Sequence, residues 1–301
     1  MKTYAPDYYK KFKCIAEKCL HSCCIGWEID IDEDTLEKYK NQKGVFGKKL
    51  KNGIKKCDDY SCFHLDGKGR CVFLNENNLC EIILNMGEAS LCQICADHPR
   101  FRNYFSDRIE TGLGLCCEEA GRIILSRDKA FSLEIIDEDN DDSEEADEEI
   151  AFFRFREELI NKIYNGGAVL EFCESSFPEK TVNEWADLYL SLERLDEHWT
   201  IILNDLKETD ISDVKIPEGF DMAFKNLSGY FTYRHLNELS TENDLMFIHL
   251  SCEMIKNICK MHIKKYEVLH LDDIVEYARM YSSEIEYSDE NVEIIIQELF
   301  A

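Results

Sequence analysis

Cysteine is the residue type in this chain with the most chemistry to offer. The 301 residues include 15 cysteines, 12 of them between Cys14 and Cys117. They fall as Cys14-x4-Cys19-x3-Cys23-Cys24, Cys71-x8-Cys80, Cys92-x2-Cys95 and Cys116-Cys117. A thiolate is a soft, charged ligand, and gathering several in one place is favourable only where a cation neutralises their repulsion. Loops of three or four residues are short enough to fold two sulfurs onto one ion. Disulfides need an oxidising compartment, and they are disfavoured here by the odd cysteine total and by an N-terminal MKTYAPDYYKKFKC with no apolar signal-peptide core. We therefore expect a cytoplasmic protein with metal-binding thiols. Structural zinc sites usually draw on two knuckles with two to four intervening residues. Only Cys92/Cys95 has the tight form, and Cys19/Cys23 is looser. All-cysteine ligation with irregular gaps suits an iron–sulfur cluster at least as well, so a cluster is placed ahead of zinc, with zinc kept open. A single four-ligand site leaves several cysteines as spectators. Cys252 and Cys259, seven apart on one helix face, read as buried small hydrophobes.

The elements that position these residues follow from composition and pattern. Residues 1–117 carry 18 basic and 17 acidic side chains, a net of +1, whereas residues 118–301 carry 17 and 44, a net of -27. The whole chain stands at -26, with 45% hydrophobic residues, which excludes wholesale disorder and argues against a nucleic-acid backbone binder. No apolar run is long enough to span a membrane. From Glu134 to Glu149, 11 of 16 residues are acidic and none is basic, the composition of a solvated linker. The expected domains are a cysteine-rich metal-binding domain at 1–130, an acidic linker at 131–149 and a helical domain at 150–301.

Within the first domain, Trp27–Ile31 alternates like a short strand, a helix is expected from about Asp34 to Lys40, and Cys71–Leu74 with Leu79–Ile82 reads as a hairpin about the polar turn Asn75–Asn78. Beyond the linker, Ala151–Tyr164 is amphipathic and stops at Asn165-Gly166-Gly167. Thr181 to Glu184 has capping-box spacing and opens a seam of Trp185, Leu188, Leu192, Leu195, Trp199, Ile202 and Leu206, which predicts one continuous helix. Further helices are expected at 220–238, 243–264, 271–285 and 289–299. The fold class is mainly α: an irregular, metal-stapled cysteine-rich N-terminal domain with a short β-hairpin, then a helical bundle.

The stretch Phe12-Lys13-Cys14-Ile15-x3-Cys19-x3-Cys23-Cys24-Ile25-Gly26-Trp27 resembles the start of the flagellin lysine N-methylase family. The resemblance continues through Cys71-Val72-Phe73-Leu74-x5-Cys80 and through Cys95-Ala96-Asp97-His98-Pro99-Arg100, similar to the family's Cys-x-x-Tyr-Pro-Arg. It closes at Cys117-Glu118-Glu119-Ala120-Gly121-Arg122, which looks like the family's Cys-Pro-Glu-Ala-Ala-Arg. The cysteine pattern is also similar to a wider group of zinc- or iron-chelating domains. The resemblance implies a metal set of Cys14, Cys19, Cys23, Cys24, Cys71, Cys80, Cys95 and Cys117, and an iron–sulfur cluster, most simply 4Fe-4S. Cys57, Cys62, Cys92 and Cys116 lie outside the motif positions. Two departures stand out: His98 where the family has tyrosine, and Glu118 where it has proline.

The activity implied by the resemblance is transfer of a methyl group from S-adenosylmethionine to lysine ε-amino groups of flagellin, a bacterial flagellum protein. The residues themselves add little to this. A lysine nucleophile must lose its proton, and Tyr104 and Glu119 are among the groups available to accept it. Gly112-Leu113-Gly114 is the sole hint of a glycine-rich cofactor turn, and an ordinary tight loop is the simpler reading. The catalytic and cofactor-binding residues are left unassigned. The alternative function is a non-enzymatic iron- or zinc-binding module with a helical interaction domain.

Overall fold

The computed structural model describes residues 1–57, 59–138, 146–236 and 241–300. The chain forms two units, one of residues 13–100 and one of residues 1–12 with 101–301. The opening strand β1 (Lys2–Pro6) belongs to the larger unit. The cysteine-rich unit follows with β2 (Asp30–Ile31), α1 (Glu33–Asn41), α2 (Gly44–Asn52), β3 (Ile54–Cys57), β4 (Tyr60–Phe63), α3 (Glu81–Met86) and α4 (Gln93–Asp97). The chain then returns to the larger unit through β5 (Arg100–Tyr104), β6 (Arg108–Leu113), α5 (Glu118–Leu125), β7 (Leu133–Glu138) and α6 (Asp147–Tyr164). It ends with α7 (Val182–Ser191), α8 (Glu197–Glu208), α9 (Asp221–His235), α10 (Thr241–Tyr266), α11 (Leu271–Tyr281) and α12 (Asp289–Leu299). The architecture is mainly α, with a cysteine-rich N-terminal region that carries a short hairpin.

The unit boundaries differ from those expected at 130 and 149, because residues 101–130 belong with the helices. β1 pairs in parallel with β6 and antiparallel with β7, in a sheet ordered β5-β6-β1-β7. Pairing with β1 ties the residues around 108–113 to the same unit as the bundle. The acidic linker is corrected in part. Leu133–Glu138 form β7 and Asp147–Glu149 open α6 rather than a solvated spacer, and residues 139–145 lie outside the described residues. Five of the six β7 residues are exposed, so the carboxylates sit on a sheet edge, where charge discourages pairing with another chain.

The bundle helices fall where periodicity places them, with two exceptions. The Trp185–Leu206 seam is broken into α7 and α8. Glu284 reaches the break and accepts hydrogen bonds from the Leu195 and Asp196 amides at 2.8 and 2.9 Å. Asn291 Oδ1 takes the Glu193 amide at 3.2 Å, and Asp196 caps α8 through the His198 amide at 2.8 Å. Backbone donors that a continuous helix would satisfy internally find side-chain acceptors instead, so the chain turns without loss. Trp185, Leu192, Trp199, Ile202 and Leu206 stay buried on both sides of the break, and Leu195 alone swings into solvent. The helix expected to run to 285 becomes a π-turn at Ser282–Glu286, which points Glu284 and Glu286 inward.

In the cysteine-rich unit the hairpin is formed by β3 and β4, in register Ile54↔Phe63 to Cys57↔Tyr60, with β2 added on the far side of β4. The expected hairpin at 71–82 is reduced to one bridge, Leu74↔Cys80, followed directly by α3. Asn75 Oδ1 accepts from the Asn77 and Leu79 amides at 2.9 and 3.0 Å, while Arg70 bonds the Asn78 side chain at 2.9 Å. The polar turn is present and the Glu81 amide still reaches the Phe73 carbonyl at 2.8 Å, but α3 begins at Glu81 and ends the pairing there. The strand expected at Trp27–Ile31 is only Asp30–Ile31.

The larger unit holds a fully buried ion pair. Arg156 of α6 meets Glu110 of β6 at 2.6 and 2.7 Å and donates to the Leu236 carbonyl at 3.3 Å. Its guanidinium lies against the rings of Phe152, Phe153 and Tyr233. Arg156→Leu strands the Glu110 carboxylate, and we expect a loss of about 3–5 kcal/mol in urea unfolding at neutral pH. The double change Glu110→Leu with Arg156→Leu is expected to recover most of that loss, because two apolar side chains need no partner.

Candidate metal centre

The core of the cysteine-rich unit is small, and part of it is sulfur. Ile29, Ile31, Tyr39, Leu50, Phe63, Phe73 and Ile82 are packed with the buried Cys71 and Cys92. Gly53 ends α2 where a Cβ would strike the Phe73 ring at 2.4 Å. Asp32 organises the region from two sides. Its Oδ1 caps α1 by accepting the Thr35 amide at 2.9 Å, and its Oδ2 accepts the Gln93 amide at 2.8 Å at the start of α4. The Tyr39 hydroxyl donates to the Ser90 carbonyl at 2.6 Å, which pins the segment entering Cys92.

Six thiols lie close enough to perturb one another. Cys92 and Cys95 share a hydrogen bond across the first turn of α4, which lowers Cys92 and, with burial, raises Cys95. Cys23 and Cys24 share another, and it brings Cys24 down to about 7 against the opposing effect of burial, with Arg70 helping. Burial raises Cys71 to about 12, and Cys24, Cys80 and Cys92 add to the effect. Cys80, at the N-cap of α3, is raised by burial and by the same neighbours. The Cys71 amide donates to the Cys24 carbonyl at 2.8 Å, which ties the two cysteine segments through their backbones.

The remaining nominated residues are placed as follows. Cys14 is exposed and its sulfur accepts the Ala16 amide at 3.4 Å. Cys19 donates to the His21 carbonyl at 3.1 Å. Cys117 belongs to the larger unit, at the N-cap of α5. Cys57 and Cys62, expected as spectators, are joined by a disulfide across the β3–β4 hairpin, with Cα atoms 6.2 Å apart. Cys92 was set outside the motif positions, yet it is fully buried and bonded to Cys95. Its two-residue spacing from Cys95 was the signal that pointed to it.

Around a single tetrahedral zinc, bonds of about 2.3 Å hold sulfurs about 3.8 Å apart. Among the described residues, one group of three donor atoms lies within 4.8 Å of one another: Glu28 with the disulfide-bonded Cys57 and Cys62. Among the described residues the six neighbouring thiols supply no such group of three.

The glycine-rich turn does not open a cofactor cradle. Gly112 ends β6, and a Cβ there would meet the Phe101 ring at 2.3 Å, so an aromatic side chain already fills the space. Tyr104 projects into solvent at the end of β5, and Glu119 is paired with Arg122 at 2.6 Å. His98, at the C-cap of α4, is half-buried, and burial with nearby Arg100 lowers it to about 4, so the ring is neutral at pH 7. Glu118 occupies the first helical position of α5, a place that proline also tolerates, so this departure leaves the local backbone unchanged.

The loop that carries Cys117 is held by a buried carboxylate. Tyr230 accepts the Leu115 amide at 3.1 Å and donates to Glu286. Arg234 and His235 approach the same carboxylate at 3.2 and 2.6 Å. Burial pushes Glu286 up, but Arg234 and His235 outweigh it and hold the carboxyl at about 2. A depressed carboxyl contributes stability above its unfolded value of about 4.3 and loses it as pH falls through the folded value. The stability difference between the protein and Glu286→Gln is therefore expected to be full at pH 6 and to shrink from pH 4.5 toward 2. Separately, Asp32→Ala removes acceptors from two helix starts, at about 1–2 kcal/mol. Hydrogen exchange is expected to quicken at the Thr35 and Gln93 amides.

No protein-family profile matches the chain, and no solved structure does. Curated proteins do. Over 134 residues, 42% of this chain, it is 26% identical to the lysine-N-methylase of Salmonella typhimurium strain LT2, covering 33% of that protein. The figures are the same for the lysine-N-methylase of Salmonella choleraesuis. The flagellar biosynthetic protein FliU of Salmonella muenchen matches at the same identity over 79% of its length. The matched stretch thus spans about a third of the lysine-N-methylases, and the chain resembles that family over this part.

Proposed function

We propose that this protein is a lysine methyltransferase, with flagellin as its substrate and S-adenosylmethionine as the methyl donor. The observation that carries the reading is the similarity to lysine-N-methylases over 134 residues. The FliU match adds the flagellar association. When bound, the donor supplies a sulfonium methyl, and the lysine must meet it as a neutral amine. That requirement calls for a partly desolvated amine and a nearby proton acceptor, and no residue of this chain is assigned to that task.

A 4Fe-4S cluster in the cysteine-rich unit is part of the same proposal. Cys23, Cys24, Cys71, Cys80, Cys92 and Cys95 offer more than the four thiolates such a cluster takes. Cys14, Cys19 and Cys117 remain in the set on the resemblance alone. The cluster's role is to staple a unit whose apolar core is too small to stand on burial.

Purification without oxygen, followed by iron, sulfide and zinc analysis and a visible spectrum, is expected to give iron and sulfide with a broad brown absorbance. Zinc without that chromophore would reject the cluster. Incubation with flagellin of the same organism and labelled S-adenosylmethionine is expected to shift flagellin mass in single-methyl steps. A metal-loaded protein that transfers no label would leave a non-enzymatic metal-binding module.

A further inference from the structure

The cysteine-rich unit carries a concentrated positive charge on a chain of net charge -26. Between Lys38 and Lys56 there are eight lysines and no acidic residue. Three of the eight are engaged: Lys38 with the Ala89 carbonyl at 2.9 Å, Lys49 with Glu81, and Lys55 with Glu28 at 2.6 Å. Four others, Lys40, Lys43, Lys48 and Lys51, surround one concavity of about 370 Å³ at the α1–α2 turn, with Asn41 and Gln42 as its polar lining. All four are exposed, and none is paired with a carboxylate among the described residues. Gly47 lets α2 approach the Gln42 backbone here, where a Cβ would sit 2.1 Å from the Gln42 carbonyl oxygen. That close approach folds the two lysine-bearing helices into a single hollow.

Four like charges held together with no counter-charge cost repulsion that a bound anion relieves. We propose that this concavity docks a short carboxylate-rich segment of a protein partner. Charge complementarity selects an anion, and the setting selects a short one. The concavity spans residues 40–51 only, and 44 of the chain's acidic side chains lie beyond residue 117. A long polyanion such as a nucleic acid needs a continuous basic track, whereas a few glutamates fit within one hollow and its screening length. None of the residues around this concavity is among the nominated metal ligands.

The test uses the full protein and a fluorescein-labelled dodecapeptide of alternating glutamate and serine, read by anisotropy. Saturable binding is expected at low salt, weakening as ionic strength rises. Lys40→Glu with Lys48→Glu is expected to weaken it about tenfold, on the scale of two exposed ion pairs replaced by repulsion. Lys68→Glu with Lys129→Glu makes the same change in net charge at exposed lysines outside the concavity, and is expected to leave affinity within about twofold. Lys40→Gln with Lys48→Gln supplies a milder pair should the charge reversals disturb folding. Equal losses in the two glutamate pairs would overturn the proposal, as would no binding by the unaltered protein. A single-stranded oligonucleotide of matched charge that binds more tightly would assign the surface to nucleic acid instead. Self-association abolished by the concavity variants would assign it to a second copy of the chain.

Discussion

A single buried carboxylate sets the arrangement of the larger unit. Glu286 has no solvent-exposed side-chain surface, so its charge must be met by fixed donors within the protein. Tyr230, Arg234 and His235 all come from α9, and Tyr230 also receives the Leu115 amide. The helix, the π-turn and the loop leading to Cys117 therefore have one common fixed point. The π-turn itself has a use in these terms. A regular helix through 282–286 would place Glu284 and Glu286 with a different angular offset, whereas the wider turn sends one to the α7–α8 break and the other to α9. Removal of Glu286 would orphan three donors on α9, and removal of Glu284 would orphan the two amides at the α7–α8 break.

The cysteine-rich unit solves a different problem. Seven apolar side chains and two thiols form its buried centre, little for a segment of 88 residues between 13 and 100. It compensates with polar fixation at short range. Asp32 caps two helices, Asn75 closes its own turn, and Tyr39 ties α1 to the segment before Cys92. These bonds hold the backbone around the thiols without occupying the sulfurs.

The sequence was most legible where one period governs a long segment. The helices at 151–164, 221–235, 241–266, 271–281 and 289–299 follow directly from their apolar spacing. It was least legible where a distant side chain decides. Nothing local to Leu192–Asp196 announces that Glu284, nearly ninety residues away, will take its amides and cut the heptad seam in two. The acidic run misled for a related reason. Charge density argues for solvation, and β7 is solvated, but its backbone still finds β1. At 71–82 the turn was visible and the strands were not there, because α3 begins at Glu81 and stops the pairing after the single Leu74↔Cys80 bridge.

Cys92 shows how two kinds of sequence evidence can part company. Its spacing from Cys95 is the tightest knuckle in the chain, and that argues from geometry alone: two residues between donors allow both sulfurs to face one point from a helix start. The motif positions of the lysine-N-methylase family pass over it. In the fold, α4 begins at Gln93 with Cys92 as its N-cap, so both thiols stand on the first turn of one short helix whose leading amide Asp32 secures. The element similar to the family's Cys-x-x-Tyr-Pro-Arg begins at Cys95 on that same turn, with His98 at the end of the helix. The local geometry thus places the Cys92 thiol within hydrogen-bonding reach of Cys95. A metal set drawn from family positions describes what relatives have in common, whereas the backbone of this chain determines which of its own thiols can meet.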